Sequence, residues 1–332
     1  MNPSFLMFAT TLISGTLITV SSTSWLGIWM GLEMNLISFI PMMSQSNKFS
    51  SEAALKYFLT QAFASSLLLM CIIVMQLKTN STPTTIYTIE YIVMFSLLMK
   101  MGAAPTHFWF PEVSNGLNWL SNMILMTWQK IAPFIVLMYL NMPSTLMLLA
   151  VLSSALIGAM GGFSQTSLRK ILAYSSINHM SWMLISVSAS QMLWMTYFII
   201  YSTLTLTMMY FFMINNMNFI SQLFQMSFNS PIMSLLISFN MMSMGGLPPF
   251  MGFYPKWLVM EFMMNNCMYL TAMFMIMMTL IVLYFYMRIM YSSLMMYSNT
   301  SKLLVFNSPQ GTNMLIIMTI LGLVALPMMI MI

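Results

Sequence analysis

Residues 243–261 read SMGGLPPFMGFYPKWLVME. They interrupt an apolar run, 231–265, that is long enough to cross a bilayer, since a spanning helix needs about 20 mostly apolar residues. Gly245, Gly246, Pro248, Pro249 and Gly252 fall together in its middle. Proline removes a backbone donor and clashes with the preceding turn, so a helix is expected to break there. A second stretch has the same character. Residues 97–112 read LLMKMGAAPTHFWFPE, with Pro105 at the end of the apolar part. A lysine stands beside each break, Lys256 in the first stretch and Lys100 in the second.

The rest of the chain also asks for lipid. Of 332 residues, 60% are apolar and 5% are charged, where a soluble domain carries about 25% charged residues. The mean hydropathy is +0.86. So few charges cannot solvate a 38.0 kDa globule, and a bilayer is the fitting solvent. The net charge of +5 does not point to nucleic acid, because the basic residues are scattered singly along apolar segments. Cys71 and Cys267 sit in or beside apolar runs and are expected to be free thiols. No Arg-rich transit peptide or cleavable signal is visible at the start. Methionine is unusually abundant, 48 residues. An AT-rich animal mitochondrial genome that reads AUA as Met explains this, so an organelle-encoded inner-membrane protein is expected.

The fold class expected is an all-α polytopic membrane protein with about eleven transmembrane helices. Their approximate limits are 3–21, 25–43, 54–77, 86–104, 119–140, 144–162, 168–188, 191–213, 231–265, 268–288 and 313–331. Lipid offers the backbone no hydrogen bonds, which favours helices, and the runs lack the alternation of barrel strands. The even-numbered loops and their edges hold Lys48, Lys56, Arg169, Lys170, Arg288 and Lys302, and the odd-numbered loops hold Lys78. The positive-inside rule then puts the N-terminus on the matrix side and the C-terminus on the intermembrane-space side. The broken helix is the fourth in each five-helix half. Two inverted repeats are expected within a single membrane domain, 1–140 and 141–290, followed by a loop and a C-terminal helix over 291–332. Matching interruptions in two halves are a pointer to a transport site.

Four charges sit deep. Glu33 lies in WLGIWMGLEMNLISFI (25–40), eight residues or roughly 12 Å into its span, near the midplane of a ~30 Å core. Lys130 lies at a similar depth, and Lys100 and Lys256 flank the breaks. A lone ion at the bilayer centre costs at least ~2.5–3.5 kcal/mol and faces a partner or water. A hydrated polar row across the bundle is therefore expected. His179, in AYSSINHMSW with Ser175, Ser176, Asn178 and Ser181 nearby, is a fifth candidate. Structural alternatives stay open. Glu33 and Lys100 could form an ion pair that only fixes helix register, and His179 could simply hydrogen-bond in a polar patch. Glu90, Glu112 and Glu261 read as solvated acids near helix ends. Trp25, Trp29, Trp109 and Trp119 read as interface anchors. There is no Cys cluster, paired-His pattern, P-loop or dinucleotide fingerprint, so a metal, haem or nucleotide site in this chain is not expected.

Five motifs, MGLEMNL, LLMKMGAAPTHFWFPE, MTWQKIAPF, LRKILAYSSINHMSW and GGLPPFMGFYPKW, together resemble the antiporter-like membrane subunits of respiratory NADH:ubiquinone oxidoreductase (complex I). The resemblance covers nearly the whole chain. It implies that Glu33 pairs with Lys100 on a broken helix, that Lys130 and Lys256 continue the row, and that His179 belongs to it. It implies a proton-translocating subunit of an NADH:ubiquinone reductase, with no redox active site in this chain. FMN, iron–sulfur clusters, NADH and ubiquinone would be handled elsewhere in the complex. Other membrane subunits, including neighbouring antiporter-like ones, and membrane lipids are the partners implied. The alternatives are a monovalent cation/proton antiporter subunit and a non-pumping scaffold. Two departures stand out. Thr106 replaces the phenylalanine usual before the histidine of that motif, His107, and three N-terminal helices of the longer bacterial members have no counterpart here.

Overall fold

The computed structural model describes residues 3–44, 47–77, 83–140, 144–223 and 231–294. The expected eleventh span, 313–331, lies outside them, as do Lys78 and Lys302. The described residues are helical, with one isolated bridge between Ser167 and Phe219 and no strand. Each expected span as far as 268–288 is occupied by a helix or by a pair of helices. Among the described residues, six stretches are long and apolar enough to cross a membrane by length and composition: Trp25–Met43, Lys48–Leu77, Trp119–Met138, Thr145–Phe163, Gln191–Ile214 and Tyr269–Leu294. The chain is an all-α polytopic membrane protein. It divides into two compact units, Met1–Ser154 and Ala155–Ile332.

The N-terminal unit holds α1 (Pro3–Ser21), α2 (Trp25–Met43), α3 (Lys48–Leu77), α4 (Pro83–Met101), α5 (Trp109–Gly116), α6 (Trp119–Met126), α7 (Trp128–Met138) and the start of α8 (Ser144–Phe163). The hydroxyl of Ser24 caps α2 by accepting the Gly27 N–H at 3.2 Å. α1 lies directly on α2, and a Cβ at Gly31 would stand 2.8 Å from the Gly15 carbonyl oxygen. Small residues at such a crossing let two backbones approach, which is how helices associate where lipid supplies no hydrophobic drive. At 30 residues, α3 is roughly 45 Å long, more than the ~30 Å hydrocarbon core. Its first turns therefore carry Lys48, Glu52 and Lys56 without burying them.

The C-terminal unit continues with α9 (Leu168–Ala189), α10 (Gln191–Ile214), α11 (Pro231–Gly245), α12 (Phe253–Asn265) and α13 (Tyr269–Leu294). α9 is its centre and packs against α10, α12 and α13. It is buried along almost its whole length, although its middle reads SSINHMS. The serines there satisfy themselves locally. Ser175, Ser176 and Ser181 donate to the carbonyls of Leu172, Ala173 and Asn178 at 2.8, 2.7 and 2.6 Å. Cys71 is buried and Cys267 exposed, and both are free thiols, as expected.

Candidate functional site

The two interruptions are built the same way. α4 ends at Met101 and Gly102 follows with φ +73°. The Ala103 N–H reaches back to Leu98 O at 3.0 Å, and the Gly102 N–H to Met99 O at 3.1 Å. α11 ends at Gly245 and Gly246 follows with φ +80°. Here Leu247 N–H reaches Met242 O at 3.4 Å and Gly246 N–H reaches Ser243 O at 3.0 Å. Both are Schellman caps, which need a left-handed residue that glycine adopts at least cost. The glycines therefore end these helices. Pro105, Pro248 and Pro249 lie beyond them in the connecting turns, where they keep the helix from resuming. This revises the expected limit of 104 for the fourth span.

In the N-terminal unit, Lys100 sits in the last turn of α4 and is 7% exposed. Its backbone carbonyl accepts the Gln61 side-chain amide at 3.2 Å. Half-buried Glu33 is near enough to act on it electrostatically. No direct ion pair joins the two, and the ion pair found among the described residues is Lys56 with Glu112. A cavity of about 20 Å³ lies against Lys100, between Asn35, Tyr57, Gln61 and Gln129. That is room for about one water. The Asn35 Oδ1 and Gln129 Nε2 atoms are buried without a hydrogen bond.

Lys130 is 1% exposed, with its ammonium 5.4 Å from the centre of the Phe110 ring, a cation–π distance. The expected single helix 119–140 is interrupted just before it. Thr127 leaves helical geometry at φ −113° and ψ −68°, with its hydroxyl turned back to Met123 O at 2.7 Å. Lys130 thus occupies the first turn of α7. Pro133, inside α7, leaves the Gln129 carbonyl without its helical donor.

In the C-terminal unit, Lys256 is 7% exposed and sits in the first turn of α12. Its ammonium donates to Gly245 O at 2.8 Å and Met244 O at 3.3 Å. These are carbonyls at the C-terminal end of α11, where the helix dipole favours a cation. The break itself therefore solvates Lys256. His179 is buried in α9, and its Nδ1 lies 3.0 Å from the Tyr197 hydroxyl of α10. The Tyr201 ring is 5.2 Å from the imidazole, centre to centre. Buried Tyr286 of α13 lies within electrostatic reach of Tyr197 and Tyr201.

Comparison with known proteins decides what this geometry belongs to. Residues 22–283 match the family described as NADH:quinone oxidoreductase/Mrp antiporter, TM. The chain belongs to the NADH:quinone oxidoreductase/Mrp antiporter family. It is similar to the Anopheles gambiae protein named NADH-ubiquinone oxidoreductase chain 2, 48% identical over 307 residues, 91% of this chain and 89% of that one. It shares its fold with a chain of respiratory complex I from Thermus thermophilus, with a TM-score of 0.85 at 20% identity over 97% of this chain and 78% of the other. A chain of the Mrp complex from Dietzia sp. DQ12-45-1b has the same fold, with a TM-score of 0.79 at 14% identity over 87% of this chain and 60% of the other.

Sequence reasoning about this family member missed several residues. Tyr197, Tyr201 and Tyr286 were absent from the candidates because tyrosine in an apolar helix reads as packing. The available signal was spacing: Tyr197 and Tyr201 are four apart on one face of α10. Two tryptophans are corrected. Trp109 is buried, donates to Met99 O at 3.1 Å and packs edge-on against Tyr57, so it braces the break of α4. Trp119 is also buried. His107 is buried too, with Nδ1 3.3 Å from Pro105 O and its ring 4.3 Å from Phe108, so the Thr106 replacement leaves it packed within the turn.

Proposed function

We propose that this chain is an antiporter-like, proton-translocating core subunit of a respiratory NADH:ubiquinone oxidoreductase. The observation that carries the mechanism is that Lys100, Lys130 and Lys256 are all buried and all stand at helix interruptions. Buried ionisable groups inside a membrane bundle are costly, and proton relays are built from them. Interruptions supply what an unbroken helix withholds, namely free backbone carbonyls and room for water. Lys256 already uses two such carbonyls.

The proposed proton path uses Glu33, Lys100, Lys130, His179 and Lys256. While Lys100 is held toward Glu33, Lys130 can keep its proton. When Lys100 swings toward Lys130, the two ammonium groups repel. At ~7 Å and an effective dielectric near 20, that repulsion is about 2.4 kcal/mol. It biases the proton onward, and return of Lys100 to Glu33 resets the pair. Quinone reduction elsewhere in the complex supplies the energy. No redox chemistry is assigned to this chain, and FMN, iron–sulfur clusters, NADH and ubiquinone belong to the rest of the assembly. The location we propose is the mitochondrial inner membrane, with the N-terminus toward the matrix and neighbouring antiporter-like subunits alongside.

Two experiments test this. Membranes solubilised gently and run on a native gel should carry the chain in the band that stains for NADH dehydrogenase activity. Its presence only in a small, unstained band would overturn the assignment to the complex. The Mrp-like fold keeps a monovalent cation/proton antiporter as a second reading. Proton flux in reconstituted vesicles should be unchanged when sodium is replaced by a large organic cation, and a flux that requires sodium favours that second reading.

A further inference from the structure

A groove of about 610 Å³ opens on the C-terminal unit beside the last turns of α13. Thr166, Ile220, Tyr284, Met287, Arg288 and Tyr291 line it. The groove is a built feature. Arg288 donates from Nη1 to Phe163 O at 2.9 Å and from Nη2 to Gln165 O at 2.6 Å. The Tyr284 ring stacks on Phe163, with centres 5.2 Å apart and planes 16° apart. Its floor is pinned by backbone bonds from Leu168 N to Asn218 O at 2.9 Å and from Ile220 N to Thr166 O at 3.1 Å.

The chemistry of the groove is split. Tyrosine, methionine and isoleucine surfaces make most of it apolar, while Arg288 puts a permanent charge at one side. A guanidinium has five N–H donors, and the two carbonyls satisfy hydrogen bonds without neutralising the charge. Arg169 and Lys170 open α9 a few residues after Thr166 but do not line the groove, and Arg169 donates to Asn218 Oδ1 at 2.7 Å. Glu261, the one acidic residue between 155 and 294, belongs to α12 and does not line the groove. Exposed tyrosines near a helix end suit a membrane interface, where an aromatic ring meets the headgroup layer. A soluble anion would find too little polar surface here, and a neutral apolar partner would leave the charge of Arg288 without a counter-ion.

We propose that this groove is a binding site for one anionic phospholipid. Its acyl chain lies on Tyr284, Met287, Tyr291 and Ile220, and its phosphate faces Arg288. Basic pockets between membrane helices select anionic headgroups on this principle.

The test uses the intact complex reconstituted in phosphatidylcholine vesicles that contain a trace of photoactivatable lipid. One probe carries a phosphatidylglycerol headgroup and the other phosphatidylcholine. Mass spectrometry then locates the label. The peptide containing residues 284–292 should be labelled about fivefold more by the anionic probe, the factor expected from ~1 kcal/mol for one arginine near the surface. Arg288→Gln should remove that preference. Because Arg288 also ties the 163–165 carbonyls, a second variant is needed. Met287→Trp fills the groove while leaving those hydrogen bonds in place, and it should suppress labelling by both probes. Equal labelling of the unmodified protein by the two probes would overturn the proposal, since it describes lipid contact without headgroup selection. Absence of labelling by either probe would overturn it too, because the groove would then be covered by another subunit.

Discussion

Two adjacent glycines should respond oppositely to the same substitution. Gly246 has φ +80°, and a Cβ there would stand 2.8 Å from the Lys256 ammonium and 2.9 Å from its Cδ. Alanine in the left-handed region costs about 1–2 kcal/mol. The lysine tip is flexible and would move away, but moving forfeits its bond to Gly245 O at 2.8 Å. Hydrogen bonds to charged groups are worth about 1.5–3 kcal/mol, so Gly246→Ala should cost roughly 3 kcal/mol and displace the ammonium. At Gly245 a Cβ would meet nothing nearer than 3.6 Å, the Tyr286 Cδ2. Gly245→Ala should be tolerated. The assay is proton uptake in vesicles containing the reconstituted complex, counted per NADH oxidised, alongside the thermal dissociation midpoint of the complex. Gly246→Ala is expected to lower both and Gly245→Ala neither. Wild-type proton uptake and stability for Gly246→Ala would show that the seat of Lys256 on the α11 carbonyls does not matter.

Three further outcomes are expected. Tyr197→Phe removes the 3.0 Å contact to His179, about 1 kcal/mol for a neutral hydrogen bond. It should reduce proton uptake in the wild type and add nothing in a His179→Gln background, as a double-mutant cycle would show. Gly252→Ala would place a Cβ 1.7 Å from the Ser243 backbone oxygen. No side-chain movement relieves that, so the variant should fail to accumulate in the assembled complex on a native gel. Glu112→Gln removes the ion pair with Lys56, whose two side chains are 54% and 57% exposed. Exposed pairs contribute little, and the thermal midpoint of the complex should stay within error of wild type.

Much of this fold is readable from the chain because lipid imposes a simple rule. Segments must be apolar, long and helical, so the limits 25–43 and 191–213 nearly coincide with Trp25–Met43 and Gln191–Ile214. The buried charges were legible for the same reason, since Lys100, Lys130 and Lys256 have no cheap excuse in an apolar run. What local pattern hid was the cause of each break. Proline is the loudest residue in LLMKMGAAPTHF, yet Gly102 ends the helix through a left-handed cap that depends on backbone angles. The interruption at Thr127 was hidden because MTWQKIAPF holds no glycine and its one proline, Pro133, lies six residues beyond the break. Tyr197 was missed, and Trp109 misread, because a polar tip on an aromatic ring is silent in hydropathy. Only the packing of α10 against α9, and of the α4–α5 turn against α3, shows which face each ring takes.

The most direct measurement concerns Lys130. It is 1% exposed and sits over the Phe110 ring, and Met can replace its stem while removing only the charge. The complex carrying Lys130→Met should be assembled, reconstituted and supplied with NADH and quinone, and protons should be counted against NADH oxidised. If this chain passes protons through its buried lysines, that ratio falls below the wild-type value in an intact complex, while Lys130→Arg does not reproduce the native count because it cannot give up its charge. A wild-type ratio for Lys130→Met would contradict the account and leave the lysines as structural members of the bundle.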